Sequence, residues 1–287
     1  MPISFYEKQK LNVNNKKGFY MKQNKLTFSF GKNWKDFLKT VDEEEISKAK
    51  YDIEEWLDIN SLSGKTVLDI GSGSGIHSLA FYLFGAKLVY SFDFDINSVE
   101  ATSSLWEKEG KPKNWIISQG SILDKEFLNT FSEKFDIVYS WGVLHHTGAM
   151  WEAIDNSIKL VKSGGKFWIT LYAKGPRYPK DLALKKKYNS ASPFGKRLML
   201  FKKIGTRMLS RLRHFQNPFT WNEKKSRGMN VYHDFVDWLG GLPYEVASED
   251  EVLKFCRKKG LILERIKVKS EGGCSIYVFS LPITNGN

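Results

Sequence analysis

At 287 residues, 41% hydrophobic and 26% charged, the chain can bury a sizeable core and has the make-up of a globular protein. No apolar run is long enough to cross a bilayer, and two cysteines, Cys256 and Cys274, outside any C-x-x-C pair, argue against a disulfide framework or a cysteine zinc site. The net charge of +12 is uneven, at +7 over residues 1–41, −8 over 42–173 and +12 over 174–238, so an anionic partner is expected at the two basic flanks.

The start, Met1 to Lys17, is rich in Lys and Asn and lacks the apolar stretch and small-residue cleavage site of a signal peptide, so a cytoplasmic setting is expected. Residues 42–59 place acids in a first turn and Ile46, Ala49, Ile53, Trp56 and Leu57 at helical spacing, which predicts an amphipathic helix. Thr66-Val67-Leu68-Asp69-Ile70 then reads as a buried parallel strand. Helices are predicted over 76–84, 96–108 and 150–161, and further strands over 88–92, 115–118, 135–140 and 166–172. This alternation implies an α/β fold with a doubly wound parallel sheet. Residues 261–268 and 275–281, joined by Glu271-Gly272-Gly273, break the rhythm, since so short a join can make only an antiparallel hairpin.

The candidate chemistry gathers at the carboxyl ends of the predicted strands, where open α/β sheets bind ligands. Asp69-Ile70-Gly71-Ser72-Gly73-Ser74-Gly75 follows the first strand, and its glycines permit positive φ and close approach, with amides at the helix start aimed at the ligand. Asp93 ends the second strand, 18 residues beyond Gly75, where it would accept hydrogen bonds from ribose hydroxyls. The rival ligand is a nicotinamide or flavin dinucleotide, but its G-x-G-x-x-G would need glycine where Ile76 stands. Asp69 would repel a pyrophosphate and attract an α-amino group.

These residues resemble the class I S-adenosylmethionine-dependent methyltransferases over about Asp42 to Leu281, the insertion excepted. The resemblance implies a seven-stranded Rossmann-like sheet with an antiparallel last strand and S-adenosyl-L-methionine as cofactor, leaving S-adenosyl-L-homocysteine, while residues 174–245 read as a helical insertion between strands 5 and 6. It also implies that Asp69, Gly71 and Ser72 face the methionine end, that Gly73 and Gly75 lie beneath the cofactor and that Asp93 binds the ribose. Phe94, Ser140 and Trp141 join that lining by the same resemblance. Where many members carry an acid for the adenine, this chain has Gly120, Ser121 and Ile122, with Asp124 following, so backbone recognition of adenine is expected there. A narrower similarity, carried by Phe30-Gly31-Lys32-Asn33-Trp34, Trp141-Gly142-Val143-Leu144-His145-His146-Thr147 and Arg227-Gly228-Met229, is to bacterial small-molecule methyltransferases of the ubiquinone-biosynthesis O-methyltransferase-like type. It implies that Trp34 closes over the cofactor, a core tryptophan being the other reading.

Four regions follow: 1–60, a basic segment and helix covering the cofactor site; 61–173, the cofactor-binding core; 174–245, a basic substrate-recognition cap; and 246–287, a helix and hairpin completing the sheet. In-line methyl transfer needs positioning above all, and a base only for a hydroxyl acceptor. The candidate bases are His145 and His146, with His233 and Asp234 in the cap, where Tyr232 and Trp238 are further acceptor-site candidates; wall packing and capping are the alternative roles for all of them. His77 is assigned to helix packing, and no metal site is expected. Residues 196–215 read as a basic amphipathic helix suited to an anionic membrane, to RNA phosphates, or to ordinary packing. The expected function is methylation of a small-molecule, sugar- or lipid-linked acceptor, oxygen favoured over nitrogen, in the cytoplasm or at the membrane surface. The alternatives are an RNA methyltransferase, or a non-catalytic nucleotide-binding scaffold.

Overall fold

In the computed structural model, which describes residues 43–219, 231–270 and 272–283, the first strand is Thr66–Ile70 (β1), buried over its last four residues as its apolar composition requires. It pairs in parallel with Leu88–Asp93 (β2) on one side and Phe135–Trp141 (β4) on the other. Trp115–Gln119 (β3) extends the sheet beyond β2, and Val161–Tyr172 (β5) extends it beyond β4. Ile262–Lys267 (β6) and Cys274–Ser280 (β7) form the expected hairpin, with β7 inserted antiparallel between β5 and β6. The seven-stranded order is β3-β2-β1-β4-β5-β7-β6. Strand order reverses at β1, so the crevice for a ligand opens above its carboxyl end.

Alternation along the strands divides the core in two. Val67, Val89, Ile137, Tyr139, Trp168 and Val278 face one layer, built from Glu43–Leu57 (α1), Ile76–Leu83 (α2) and Ile96–Lys108 (α3). Leu68, Tyr90, Phe92, Val138, Phe167, Ile169 and Phe279 face the other. Beyond the four-residue helix Lys125–Leu128 (α4), that second layer is made by Met150–Lys159 (α5) and later by Glu249–Lys258 (α9). The predicted helix over 150–161 therefore ends early. Val161 already pairs with Phe135, and a register shift between Phe135 and Ile137, beside Ser163-Gly164-Gly165, lets β5 begin five residues before the predicted 166.

Between β5 and β6 the chain leaves the sheet for Tyr178–Ser190 (α6), Pro193–Arg213 (α7) and Val231–Gly240 (α8) before α9. Ser192 starts α7 by accepting from Gly195 N at 3.2 Å, with Pro193 in the first turn, where its missing N–H costs nothing. The three helices share a small core of Tyr188, Leu200 and Leu239, against which Met199, Ile204, Phe235, Val236 and Trp238 pack. The returning segment ties this unit to the sheet's carboxyl edge. Glu245 N donates to His145 O (3.0 Å), Ala247 N to Tyr172 O (3.0 Å) and Lys174 N to Ala247 O (3.0 Å). Tyr178 Oη donates to Tyr244 O at 3.3 Å. No described helix is long and apolar enough to cross a membrane.

Candidate functional site

The glycine turn between β1 and α2 is folded onto the end of β2. Gly71 N and Ser72 N both donate to Phe92 O, at 2.8 and 3.1 Å, and Gly73 N donates to Asp93 Oδ2 at 3.0 Å. The amides of Gly71, Ser72 and Gly73 are thus spent on β2, ahead of the helix start at Ile76. Gly71 and Gly75 have φ of +77° and +82°. A Cβ on Gly71 would lie 2.5 Å from the methyls of Val143, in the loop after β4, and one on Gly75 would lie 2.8 Å from the Cα of Thr102 in α3. Ser72 Oγ also contacts Thr102 Oγ1 at 2.9 Å. The turn thus sits between the β4 loop and α3, where side chains have no room.

Asp93 is gripped by two amides, Gly73 N on Oδ2 and Asp95 N on Oδ1 (2.8 Å), at the lip of this turn. Burial, joined by the neighbouring Asp95 charge, pushes its carboxyl up to about 6, against the lowering effect of those two amides and of the Ser98 hydroxyl. Asp69 is buried beneath the turn, and its Oδ2 accepts from Ser78 Oγ at 2.5 Å. Ser78 in turn accepts from Ser91 Oγ (2.8 Å), and Ser91 from Trp115 Nε1 (2.9 Å), so a line of donors across three strands and α2 holds the carboxylate.

At the next edge, Gly120 N donates to Asp93 O (3.0 Å), placing the β3 loop beside the end of β2. Phe94 is exposed there. Ser121 Oγ accepts from Leu123 N (3.2 Å), while buried Ile122 offers its carbonyl to Asn156 Nδ2 (3.0 Å). Of the adenine candidates, then, Ile122 has its carbonyl already engaged by α5. Asp124 caps α4, accepting from Glu126 N (3.0 Å) and Phe127 N (3.2 Å). At the end of β4, Ser140 Oγ donates to Ile70 O (3.0 Å) and is fully buried. Trp141 is half-buried, stacked on His77 (5.9 Å between centroids) and edge-on to Trp168 (5.9 Å). Trp34, with Phe30-Gly31-Lys32-Asn33 and Arg227-Gly228-Met229, lies outside the described residues, as does the His233 side chain.

The histidine pair occupies a 3-10 turn, Leu144–His146, after β4. Buried His145 accepts on Nδ1 from Tyr172 N at 3.2 Å, and His146 Nδ1 meets Pro243 O at 2.6 Å. Burial pushes the His146 imidazole down to about 3, so it stays neutral across the physiological range and is a weak proton acceptor. Both rings pack on Tyr172, His145 at 4.2 Å and His146 at 5.6 Å. Tyr172 therefore joins the two sets of candidates. Burial raises its phenol well above the ordinary range, with Cys274, Tyr244, Asp237 and Asp234 adding negative potential. Asp234 stands half-buried in the first turn of α8, Trp238 packs in the cap core, and Tyr232 is exposed. Tyr172 went unnamed in the sequence, although its place at the carboxyl end of β5 was a readable signal.

Lys185 on α6 is the other unanticipated group. Fully buried, it donates to Trp238 O and lies 4.5 Å from the ring centroids of both Trp238 and Tyr244. Burial, then the nearby Lys203, bring its ammonium down to about 7, against the raising effect of Asp181, Cys274 and Asp237. Its folded pKa is depressed, so between about 7 and 10.5 the unfolded chain holds the extra proton and stability rises with pH. Lys185→Met is expected to flatten this rise, which for a shift of this size amounts to at most roughly 4 kcal/mol. Thermal melts of both proteins between pH 7 and 10 check it; parallel curves would mean that Lys185 is not held in this environment.

Among the described residues no three His, Cys, Asp or Glu side chains come together to hold a metal ion. The family model described as "Methyltransferase domain" matches residues 61–231. A 74-residue segment is 43% identical to ribosomal protein L11 methyltransferase of Prochlorococcus marinus, and a 56-residue segment is 41% identical to that of Photobacterium profundum. These segments cover 25% and 20% of this chain, and the chain spans about a fifth of the length of these curated relatives (22% and 19%). Among solved structures, a Methanococcus maripaludis protein assigned as an S-adenosylmethionine-dependent methyltransferase matches 92% of this chain and 98% of its own, with a TM-score of 0.51 and 16% identity. Magnesium protoporphyrin IX methyltransferase from Synechocystis PCC 6803, with bound S-adenosylhomocysteine, matches 82% of each chain, with a TM-score of 0.50 and 15% identity.

Proposed function

Because the chain belongs to the methyltransferase-domain family, with residues 61–231 matched, we propose that it is a class I enzyme that moves a methyl group from S-adenosyl-L-methionine to a small-molecule or sugar- or lipid-linked acceptor. The observation that carries this reading is Asp93, a carboxylate fixed by Gly73 N and Asp95 N at the carboxyl end of β2, directly against the positive-φ glycine turn. A carboxylate so held keeps acceptor capacity for two ribose hydroxyls, and the crowding at Gly71 and Gly75 keeps the turn in the one shape that leaves the ribose site open. Buried Asp69 contributes negative potential under the methionine end, which suits an ammonium and opposes a pyrophosphate. Gly120, Ser121 and exposed Phe94 border the adenine end, Ile122 contributes wall rather than a carbonyl acceptor, and Ser140 and Trp141 border the methionine end. Trp34, on the 1–60 segment, is proposed to close over the cofactor.

The bound cofactor supplies an electrophilic methyl on a sulfonium. The protein's part is orientation, since holding an acceptor in line can be worth roughly 7–11 kcal/mol. Residues 61–173 and 246–287 build the cofactor frame, with Tyr172 at the end of β5, while residues 174–245 bring Asp234 and Tyr244 toward the acceptor. His146 fastens that cap through Pro243 O and His145 through its own carbonyl, which accepts from Glu245 N, while the His145 ring is held by Tyr172 N of β5; no proton-accepting role is assigned to them. An oxygen acceptor, of the kind used by the ubiquinone-biosynthesis O-methyltransferase-like enzymes, is favoured, and cytoplasmic action is proposed with it. Incubating the full chain and methyl-labelled cofactor with cell extract, then separating small molecules, lipids, protein and RNA, tests the reading. Label is expected in the small-molecule or lipid fraction. Label confined to RNA or protein would overturn the acceptor class, and cofactor retention with no transfer would make the chain a non-catalytic scaffold.

A further inference from the structure

Among the described residues, helix α7 leaves an apolar face exposed. Its inner face carries Leu200 and Ile204 into the cap core, and Lys203 lies over the ring of Trp238, 3.3 Å from its centroid. On the opposite side Phe194, Leu198, Phe201, Leu209 and Leu212 are spaced four, three, eight and three residues apart, with Gly205 midway in the longest step, which keeps them on one stripe. All five are exposed, between 53% and 77%, and Phe215, just past the helix end, is fully exposed. At 21 residues the helix is about 30 Å long, so the stripe is far larger than the scattered apolar residues of an ordinary surface. Arg197 borders it on one side and Lys202 and Arg213 on the other, all exposed.

The charge around the stripe selects its occupant. From Leu182 to Phe219 the chain has ten Lys and Arg and no Asp or Glu. We propose that α7 lies flat on an anionic lipid surface, inserting Phe194, Leu198, Phe201, Leu209 and Leu212 among the acyl chains while Arg197, Lys202 and Arg213 meet lipid phosphates. A second copy of the chain fits poorly, because apposing two stripes would bring two acid-free cationic segments together. RNA would engage the cations but leave the leucines unburied. The −8 charge of residues 42–173 adds orientation, since an anionic surface attracts the cap and repels the core. The helix is too cationic to cross the bilayer, so it rests at the interface.

The test is co-sedimentation of the full chain with vesicles of phosphatidylcholine, and with vesicles in which part of it is replaced by phosphatidylglycerol. Binding is expected only to the second, and it should weaken with salt. Replacing Leu198, Phe201 and Leu209 together by Ser should weaken binding by about tenfold or more, and replacing Arg197, Lys202 and Arg213 by Gln by about 100-fold. All six side chains are exposed, so unchanged melting temperatures are expected and separate surface from folding effects. Three results would overturn the proposal: no preference for anionic vesicles, vesicle binding unaffected by the apolar triple variant, or a stripe-dependent dimer by light scattering. Tight RNA binding that survives the apolar triple, with no vesicle binding, would reassign the cations to nucleic acid. The outcome does not depend on cofactor binding, so methyl transfer and membrane docking can fail separately.

Discussion

Asp93→Ala is expected to lower affinity for S-adenosylhomocysteine by about 10²–10⁴-fold, because hydrogen bonds to a charged group are worth about 1.5–3 kcal/mol each and two ribose hydroxyls depend on this carboxylate. The side chain also receives Gly73 N and Asp95 N, so its removal frees the turn as well. Asp93→Asn separates the two contributions: it keeps an amide-accepting oxygen and should hold the turn better than alanine while losing the charge. The carboxyl sits at about 6 in the free protein and must be ionised to accept from both hydroxyls. Affinity is therefore expected to be level above about pH 7 and to fall by up to about tenfold per pH unit below 6. Calorimetric titration across that range, with Asp93→Asn as a control that lacks the fall, checks it. An Asp93→Ala protein that binds like the wild type would remove the residue from the cofactor site.

Gly75→Ala should cost roughly 2–5 kcal/mol of stability, adding the left-handed penalty of an L-residue at φ +82° to an overpacked contact. That contact cannot relax cheaply, since the new Cβ would lie 2.8 Å from the backbone of Thr102 on α3, so either α2 or α3 must shift. A melting temperature lower by on the order of 10 °C is expected for a chain of this size, with cofactor binding weakened in the fraction that stays folded. Gly71→Ala makes the useful contrast, because the three atoms nearest its Cβ all belong to the Val143 side chain. Adding Val143→Ala to Gly71→Ala should restore part of the lost stability, whereas no single side-chain truncation restores Gly75→Ala. Equal rescue at both positions would show that the turn is looser than its contacts imply.

The parallel core was legible because buried parallel strands are short apolar runs, and here glycines or acids end them: Ile70 before Gly71, Phe92 before Asp93. The closing hairpin was legible from the length of its turn. The start of β5 was not, since Val161 completes the apolar period of α5 and only its pairing with Phe135 makes it strand. Helix α6 escaped notice because its buried positions are Asp181, Lys185 and Tyr188, at helical spacing but largely polar. In the site, Gly71, Gly75, Asp69 and Asp93 could be picked out because they fall within 25 residues and at strand ends. Lys185, Tyr244 and Glu245 are functionally silent in the linear chain. They meet only because the 242–247 segment returns along the sheet edge and hydrogen-bonds to His145 O and Tyr172 O. The His146 ring contact with Pro243 O depends on that return as well, and the His145 ring is engaged from β5 by Tyr172 N, so the linear chain could not decide between base and wall for either.

The most direct test of the whole account is a pair of calorimetric titrations of the purified full chain, one with S-adenosylhomocysteine and one with NAD. Both ligands offer a ribose to Asp93, but only the first brings an ammonium toward buried Asp69, and only the second brings a pyrophosphate to a turn whose Gly71, Ser72 and Gly73 amides are already spent on β2. Saturable one-to-one binding of S-adenosylhomocysteine and no heat from NAD are expected. Binding of NAD with none of S-adenosylhomocysteine would contradict this expectation.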